Sequence, residues 1–191
     1  MVLMIDACAR QLSRTRMLAE TACEMMSDSV ERIDLFRQSL QPLDGETLAK
    51  REALVRKADY TDDMFRFAKQ FKDADEIVIA APYWDLSFPA VLKCYLEAVC
   101  VNGLTFRYNE QGIPEGLCKA KRLVYITSAG GFIPEHNFGY DYIKQLCTDF
   151  FGIEKTVYIK AEGLDIYGAD VQSILQKVKG TMCEKIGGSC R

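Results

Sequence analysis

The sequence predicts an α/β fold, a doubly wound, five-stranded parallel sheet with helices on both faces, on three observations. Short runs of apolar residues without polar alternation recur along the chain, the pattern of strands buried on both faces. Between them lie stretches whose apolar residues repeat at the helical period. The 191 residues suffice for one domain with a sizeable core.

Val2 to Ile5 is the first strand, and Ser13 is the natural N-cap of a helix that keeps Leu18, Ala22 and Met25 on one face. Val30 to Leu35, centred on Ile33, is a weaker second strand, and Gln41 to Gly45 reads as a surface loop. Met64, Phe67, Ala68 and Phe71 mark the next helix, and Ile77 to Ala81 the third strand. The helix Ala90 to Val101 is apolar almost all round, with only Lys93 and Glu97 as a charged stripe, so it is either a core helix or part of a dimer interface. Leu123 to Ile126 and Thr156 to Ile159 complete the strands. Ile143, Leu146, Cys147 and Phe150, then Val171, Ile174, Leu175 and Val178, supply the last helices. Such alternation builds a parallel sheet with right-handed crossovers. No repeat or linker divides the chain, so one domain over 1–191 is expected, ending in a frayed tail at Gly187 to Ser189 with Cys190 exposed.

Lys+Arg 24 against Asp+Glu 27 gives a net charge of −3 with interspersed signs, which excludes an electrostatic footprint for nucleic acid or an anionic membrane. Eight cysteines form no CxxC, and only His136 is available to a His/Cys metal set, so zinc-ribbon and thioredoxin chemistry are not expected. Free, mostly buried thiols are the expectation. Met1 to Ile5 lacks a basic flank and ends at Asp6, too short for a signal or membrane span. Together these features point to the cytoplasm.

In a doubly wound fold, ligands bind beyond the carboxyl ends of the strands, which directs attention to three loops. After the first strand, Ser13 and Thr15 with Arg10 and Arg14 suit a phosphate at a helix N-terminus, or equally a capped helix with two solvated arginines. Neither GxGxxG nor GxxxxGK[ST] is present, against a dinucleotide fingerprint or a Walker loop. After the third strand, Pro82-Tyr83-Trp84-Asp85-Leu86 offers a wall for a flat heteroaromatic ring, or merely pads the core edge. After the fourth, Ser128-Ala129-Gly130-Gly131 lets backbone approach a ligand closely, though paired glycines also make ordinary turns. A planar, phosphorylated cofactor fits all three loops at once.

Ser13-Arg14-Thr15, Ala81 to Asp85 with Phe88-Pro89, Asn102 to Tyr108 with Pro114 to Leu117, and Ser128 to Gly131 together resemble the flavodoxin-like FMN-dependent NAD(P)H quinone and azo reductases. The likeness extends to about Phe151. It implies FMN, with its phosphate on Arg10, Ser13, Arg14 and Thr15, and its ring against Pro82, Tyr83, Trp84, Asp85, Leu86, Ser128, Ala129, Gly130 and Gly131. It implies hydride transfer from NADH or NADPH through the flavin to a quinone, azo or similar small aromatic acceptor, and a homodimer. The flavin carries this chemistry, so no side chain is nominated as acid or base. Backbone N–H groups near Gly130 and Gly131 are placed to stabilise charge on the reduced ring.

Four positions depart from the family pattern. Trp84-Asp85 replaces a usual Tyr-Asn and brings a carboxylate toward the ring, while Ala7 and Ala129 stand where some relatives carry serine and arginine. His136, in a polar loop, is either solvated or in reach of substrate. Lys119, Lys121 and Arg122 read as a solvated strand entry. The competing functions are a flavodoxin-like FMN electron carrier and a receiver-like module with Asp6 and Asp85 as its acidic pocket. An α/β hydrolase is disfavoured by the lack of GxSxG.

Overall fold

The computed structural model describes residues 1–187. β1 (Val2–Asp6) is buried throughout. α1 (Arg14–Met26) follows, capped by Ser13, whose Oγ accepts from the Arg16 N–H at 3.2 Å. β2 (Val30–Asp34), α2 (Gly45–Arg56), α3 (Arg66–Asp73), β3 (Glu76–Ala80) and α4 (Ala90–Val99) come next. A short antiparallel hairpin, β4 (Phe106–Tyr108) and β5 (Pro114–Gly116), precedes β6 (Arg122–Ser128). α5 (Tyr140–Leu146) runs into a π-helical turn at Cys147–Phe151, and β7 (Lys155–Ala161) and α6 (Val171–Ile186) follow.

The five long strands are all parallel, in the order β2-β1-β3-β6-β7. The chain steps outward from β1 to β2 and then crosses back past β1 to β3, so the direction of winding reverses between β1 and β3. The loops after β1, β3 and β6 therefore open side by side at one end of the sheet. Side chains of each strand alternate between two cores. Leu3, Ile5, Ile77, Ile79, Leu123 and Tyr125 face Phe71, Tyr95, Leu96 and Ile143 of α3, α4 and α5. Val2, Met4, Val78, Val124, Ile126 and Ile159 face Leu18 and Ala22 of α1 and Leu175 and Met182 of α6. Apolar residues on both faces explain the unbroken apolar runs.

The structure departs from the sequence reading at several elements. Residues 41–44 form the expected surface loop, and only Gly45 joins the helix that follows, where Asp44 Oδ1 accepts from the Thr47 N–H at 2.8 Å. α2 places no fully buried residue in the core, so no apolar period marks it. The hairpin is also new, its turn held by Asn109 Oδ1 accepting from the amides of Gln111 and Ile113. Thr127 and Ser128 end β6 instead of opening its loop. α4 ends at Val99, with Leu92, Tyr95, Leu96 and Val99 in the core. Cys8, Cys23, Cys94, Cys100, Cys118 and Cys147 are free thiols as expected, whereas Cys183 is disulfide-bonded. Gly187 caps α6 in the left-handed region at φ 71°; the expected exposure of Cys190 lies outside the described residues.

Candidate active site

The site begins at Asp6, which ends β1 and is fully buried. Its Oδ2 accepts from Arg16 Nε at 2.6 Å and Arg32 Nη2 at 2.5 Å, and its Oδ1 from the Cys8 N–H at 3.0 Å. The other Arg16 nitrogens donate to the carbonyl oxygens of Cys8 at 2.5 Å, Arg10 at 2.7 Å and Gln11 at 2.8 Å. With those carbonyls gathered on Arg16, the backbone amides from Ala9 to Thr15 donate to no group among the described residues. A run of unpartnered N–H groups at the start of α1, where the helix dipole is positive, is an anion cradle.

The second loop is pinned to the third, because the Tyr83 N–H donates to the Ser128 carbonyl at 3.0 Å. Beyond Tyr83 the chain makes a tight turn in which Trp84 and Ser87 exchange backbone hydrogen bonds at 3.1 and 2.8 Å. Asp85 (φ 49°) and Leu86 (φ 67°) both occupy the left-handed region, the geometry of a type I′ turn that usually takes Asn-Gly. Tyr83 and Trp84 line the cleft, and Asp85 and Leu86 form the tip of the turn beside it.

The third loop is tied to its neighbours on both sides. Ser128 Oγ and Thr15 Oγ1 are 2.6 Å apart, joining β6 to the cradle. The carbonyls of Ala129, Gly130 and Gly131 accept from the amides of Leu164, Asp165 and Gly163. The N–H groups of Gly130 and Gly131 donate to nothing among the described residues, so they remain available to a ligand. An added Cβ at Gly130 would meet Asp165 Oδ2 and displace that side chain.

These loops enclose a cleft of about 360 Å³, within the ~300–1,000 Å³ range of small-molecule sites. The structure brings Arg10, Ser13, Arg14, Thr15, Pro82, Tyr83, Trp84, Ser128, Ala129 and Gly130 together in its lining; Asp85, Leu86 and Gly131 are outside it. A carboxylate from the loop after β7, Asp165, also lines the cleft, bonded to Arg14 Nη1 at 3.0 Å. Arg14 is therefore an ion-paired residue, while the Arg10 side chain has no partner among the described residues. The strand-end rule applied to Ala161 would have located Leu164 and Asp165. Cys8 also lines the cleft; burial pushes its thiol up to about 12, so it is no nucleophile at neutral pH.

The remaining candidate residues lie outside the cleft lining. His136 is 94% exposed on its loop, 3.7 Å from Asp141. Lys119 pairs with Asp75 and Arg122 with Glu76 at the entry to β6. Asp6 is sealed under two guanidiniums and Asp85 is on a turn tip, so the receiver-like acidic pocket does not assemble. Among the described residues no group of three acidic, His or Cys side chains is placed to hold a metal, and no helix is long and apolar enough to cross a membrane.

Comparison with known proteins agrees with this geometry. Residues 1–186 match the model of the family described as having a flavodoxin-like fold. The FMN-dependent NADH:quinone oxidoreductase 2 of Clostridium acetobutylicum is 38% identical over 155 residues, covering 78% of this chain and 76% of that protein. The FMN-dependent NADH:quinone oxidoreductase of Caldicellulosiruptor bescii is 33% identical over 177 residues, covering 87% of each. Among solved structures, an azoreductase from Bacillus anthracis superposes with a TM-score of 0.82 at 21% identity over 97% of both chains.

Proposed function

The chain belongs to this flavodoxin-like fold family, and from that membership we propose that it is an FMN-dependent NAD(P)H oxidoreductase that reduces quinones, azo compounds or similar small aromatic acceptors. The observation that carries the reading is the run of unpartnered amides from Ala9 to Thr15 facing a cleft walled by Tyr83 and Trp84. The naming of the curated relatives supports the cofactor and NADH as donor. FMN, when bound, supplies the hydride chemistry between nicotinamide and acceptor.

The protein's part is to bind, orient and tune. The cradle amides, with the Ser13 and Thr15 hydroxyls and Arg14, suit the phosphate; Arg10 extends the positive rim. Tyr83 and Trp84 give the ring an aromatic wall and shield it from water. The Gly130 and Gly131 amides can donate to the ring edge, where they favour negative charge. A homodimer is part of the proposal, supported by apolar side chains exposed on the loops at the cleft end: Leu12, Phe132, Phe138 and Tyr167. So are a single domain and a cytoplasmic location, for which the six free thiols among the described residues speak and the disulfide at Cys183 does not.

The test is anaerobic reduction of the FMN-loaded protein by NADH or NADPH, followed by addition of a quinone. Bleaching and recovery of the flavin band is the expected result. Flavin that binds but is reduced by neither nicotinamide would point to an electron carrier.

A further inference from the structure

Arg16 is not among the residues that line the cleft, yet it makes more hydrogen bonds to the cradle than any other side chain. Its guanidinium is largely buried, 13% exposed, with Nε on the Asp6 carboxylate and the remaining nitrogens on the carbonyls of Cys8, Arg10 and Gln11. Peptide units are rigid and planar, so turning the carbonyls inward turns amides of the same loop outward. A lysine ammonium in this position cannot reach three carbonyls and a carboxylate in one plane, as a guanidinium fork does. Arg32 shares Asp6 but bonds no loop carbonyl, its other contact being Glu20 at 3.2 Å.

We propose that Arg16 is a positioning residue that gives the site its selectivity for a phosphorylated flavin: it holds the 8–11 backbone with carbonyls inward, leaving amides preorganised for the phosphate. The inference rests on the functional reading above. It assigns the preference for FMN over riboflavin to a side chain that touches neither. The fixed cradle spares the ligand the ordering of a mobile loop, and that saving applies only where a phosphate occupies the cradle. Riboflavin, which shares the ring and lacks the phosphate, is the internal control.

The experiment measures dissociation constants for FMN and for riboflavin, by quenching of flavin fluorescence, on wild type, Arg16→Lys and Arg32→Lys. Thermal unfolding and circular dichroism are recorded on each. For Arg16→Lys the FMN/riboflavin preference is expected to fall about tenfold or more, the loss expected when charge-assisted hydrogen bonds are removed, with riboflavin affinity nearly unchanged. Stabilisation of the wild type by inorganic phosphate should weaken in parallel. Arg32→Lys should keep the preference. An Arg16→Lys protein that folds and keeps the wild-type preference overturns the inference, as does equal loss in both variants, which would implicate the charge balance at Asp6. If Arg16→Lys does not fold, Asp6→Asn serves, since it weakens the anchor of Arg16 while retaining an acceptor for the Cys8 N–H; a preference intact there likewise overturns the proposal. Wild type that binds neither flavin overturns the functional reading itself.

Discussion

At the scale of single residues, the cleft is built from backbone donors and one unexpected acid. Asp165 lines the cleft beside the proposed phosphate cradle, pairs with Arg14, and is 70% exposed. Removing its charge frees Arg14 for a phosphate and lowers repulsion. Asp165→Asn should bind FMN about two- to fivefold tighter at low salt, a gain that shrinks as salt screens the rim; fluorescence titration at two ionic strengths checks both. Leu86 is a second unusual residue, an exposed leucine at φ 67°. Leu86→Gly should stabilise by about 1 kcal/mol, because the left-handed conformation opposes a Cβ, and a thermal melt will measure it.

At the scale of elements, what was legible in the sequence follows from which elements face the core. β1, β3 and β6 lie in the middle of the sheet and were evident as apolar runs, and the loops that follow them line one cleft. β2 is an edge strand with Ile33 alone fully buried, which explains its weak signal. α2 was invisible because it buries no residue fully, and the hairpin because three-residue strands carry no period. Arg16 could not be singled out, since its partners are backbone carbonyls placed by a turn and not by a motif. Asp85 and Leu86 were adjacent in sequence to cleft residues, but the type I′ turn reverses the chain between Trp84 and Ser87. The hairpin carries its own test. Gly116 packs backbone to backbone against Phe151 and Gly152 at the π-helical turn, so Gly116→Ala should cost about 2–3 kcal/mol, read as a lowered denaturation midpoint with the slope unchanged.

At the scale of the whole molecule, burial of neutral thiols and phenols sets the response to alkali. Burial pushes the thiols of Cys8, Cys23 and Cys118 up to about 12 and that of Cys100 up to about 11, and drives the phenols of Tyr95 and Tyr125 upward too. Unfolded, these groups ionise near ~8.5 and ~10. The folded chain therefore holds more protons than the unfolded one across this range, and rising pH favours unfolding. Stability should be level below about pH 8 and decline steadily from pH 9 to 11; a melting temperature unchanged up to pH 11 would contradict that. The acid side differs. The hydrogen bond from Lys119, then that from the N-terminus, hold Asp75 down to about 2. Its contribution is present above about pH 4 and is lost as pH falls toward 2.

The central claim is that the cleft between the loops after β1, β3 and β6 holds FMN. Trp84, the one tryptophan of the chain, stands on its wall, so its fluorescence reports occupancy directly. Titration of the purified protein with FMN should quench the tryptophan emission to a plateau at one flavin per chain, with excess inorganic phosphate shifting the curve to higher FMN. An emission that FMN leaves unchanged, while Trp84→Phe removes it, would contradict the claim.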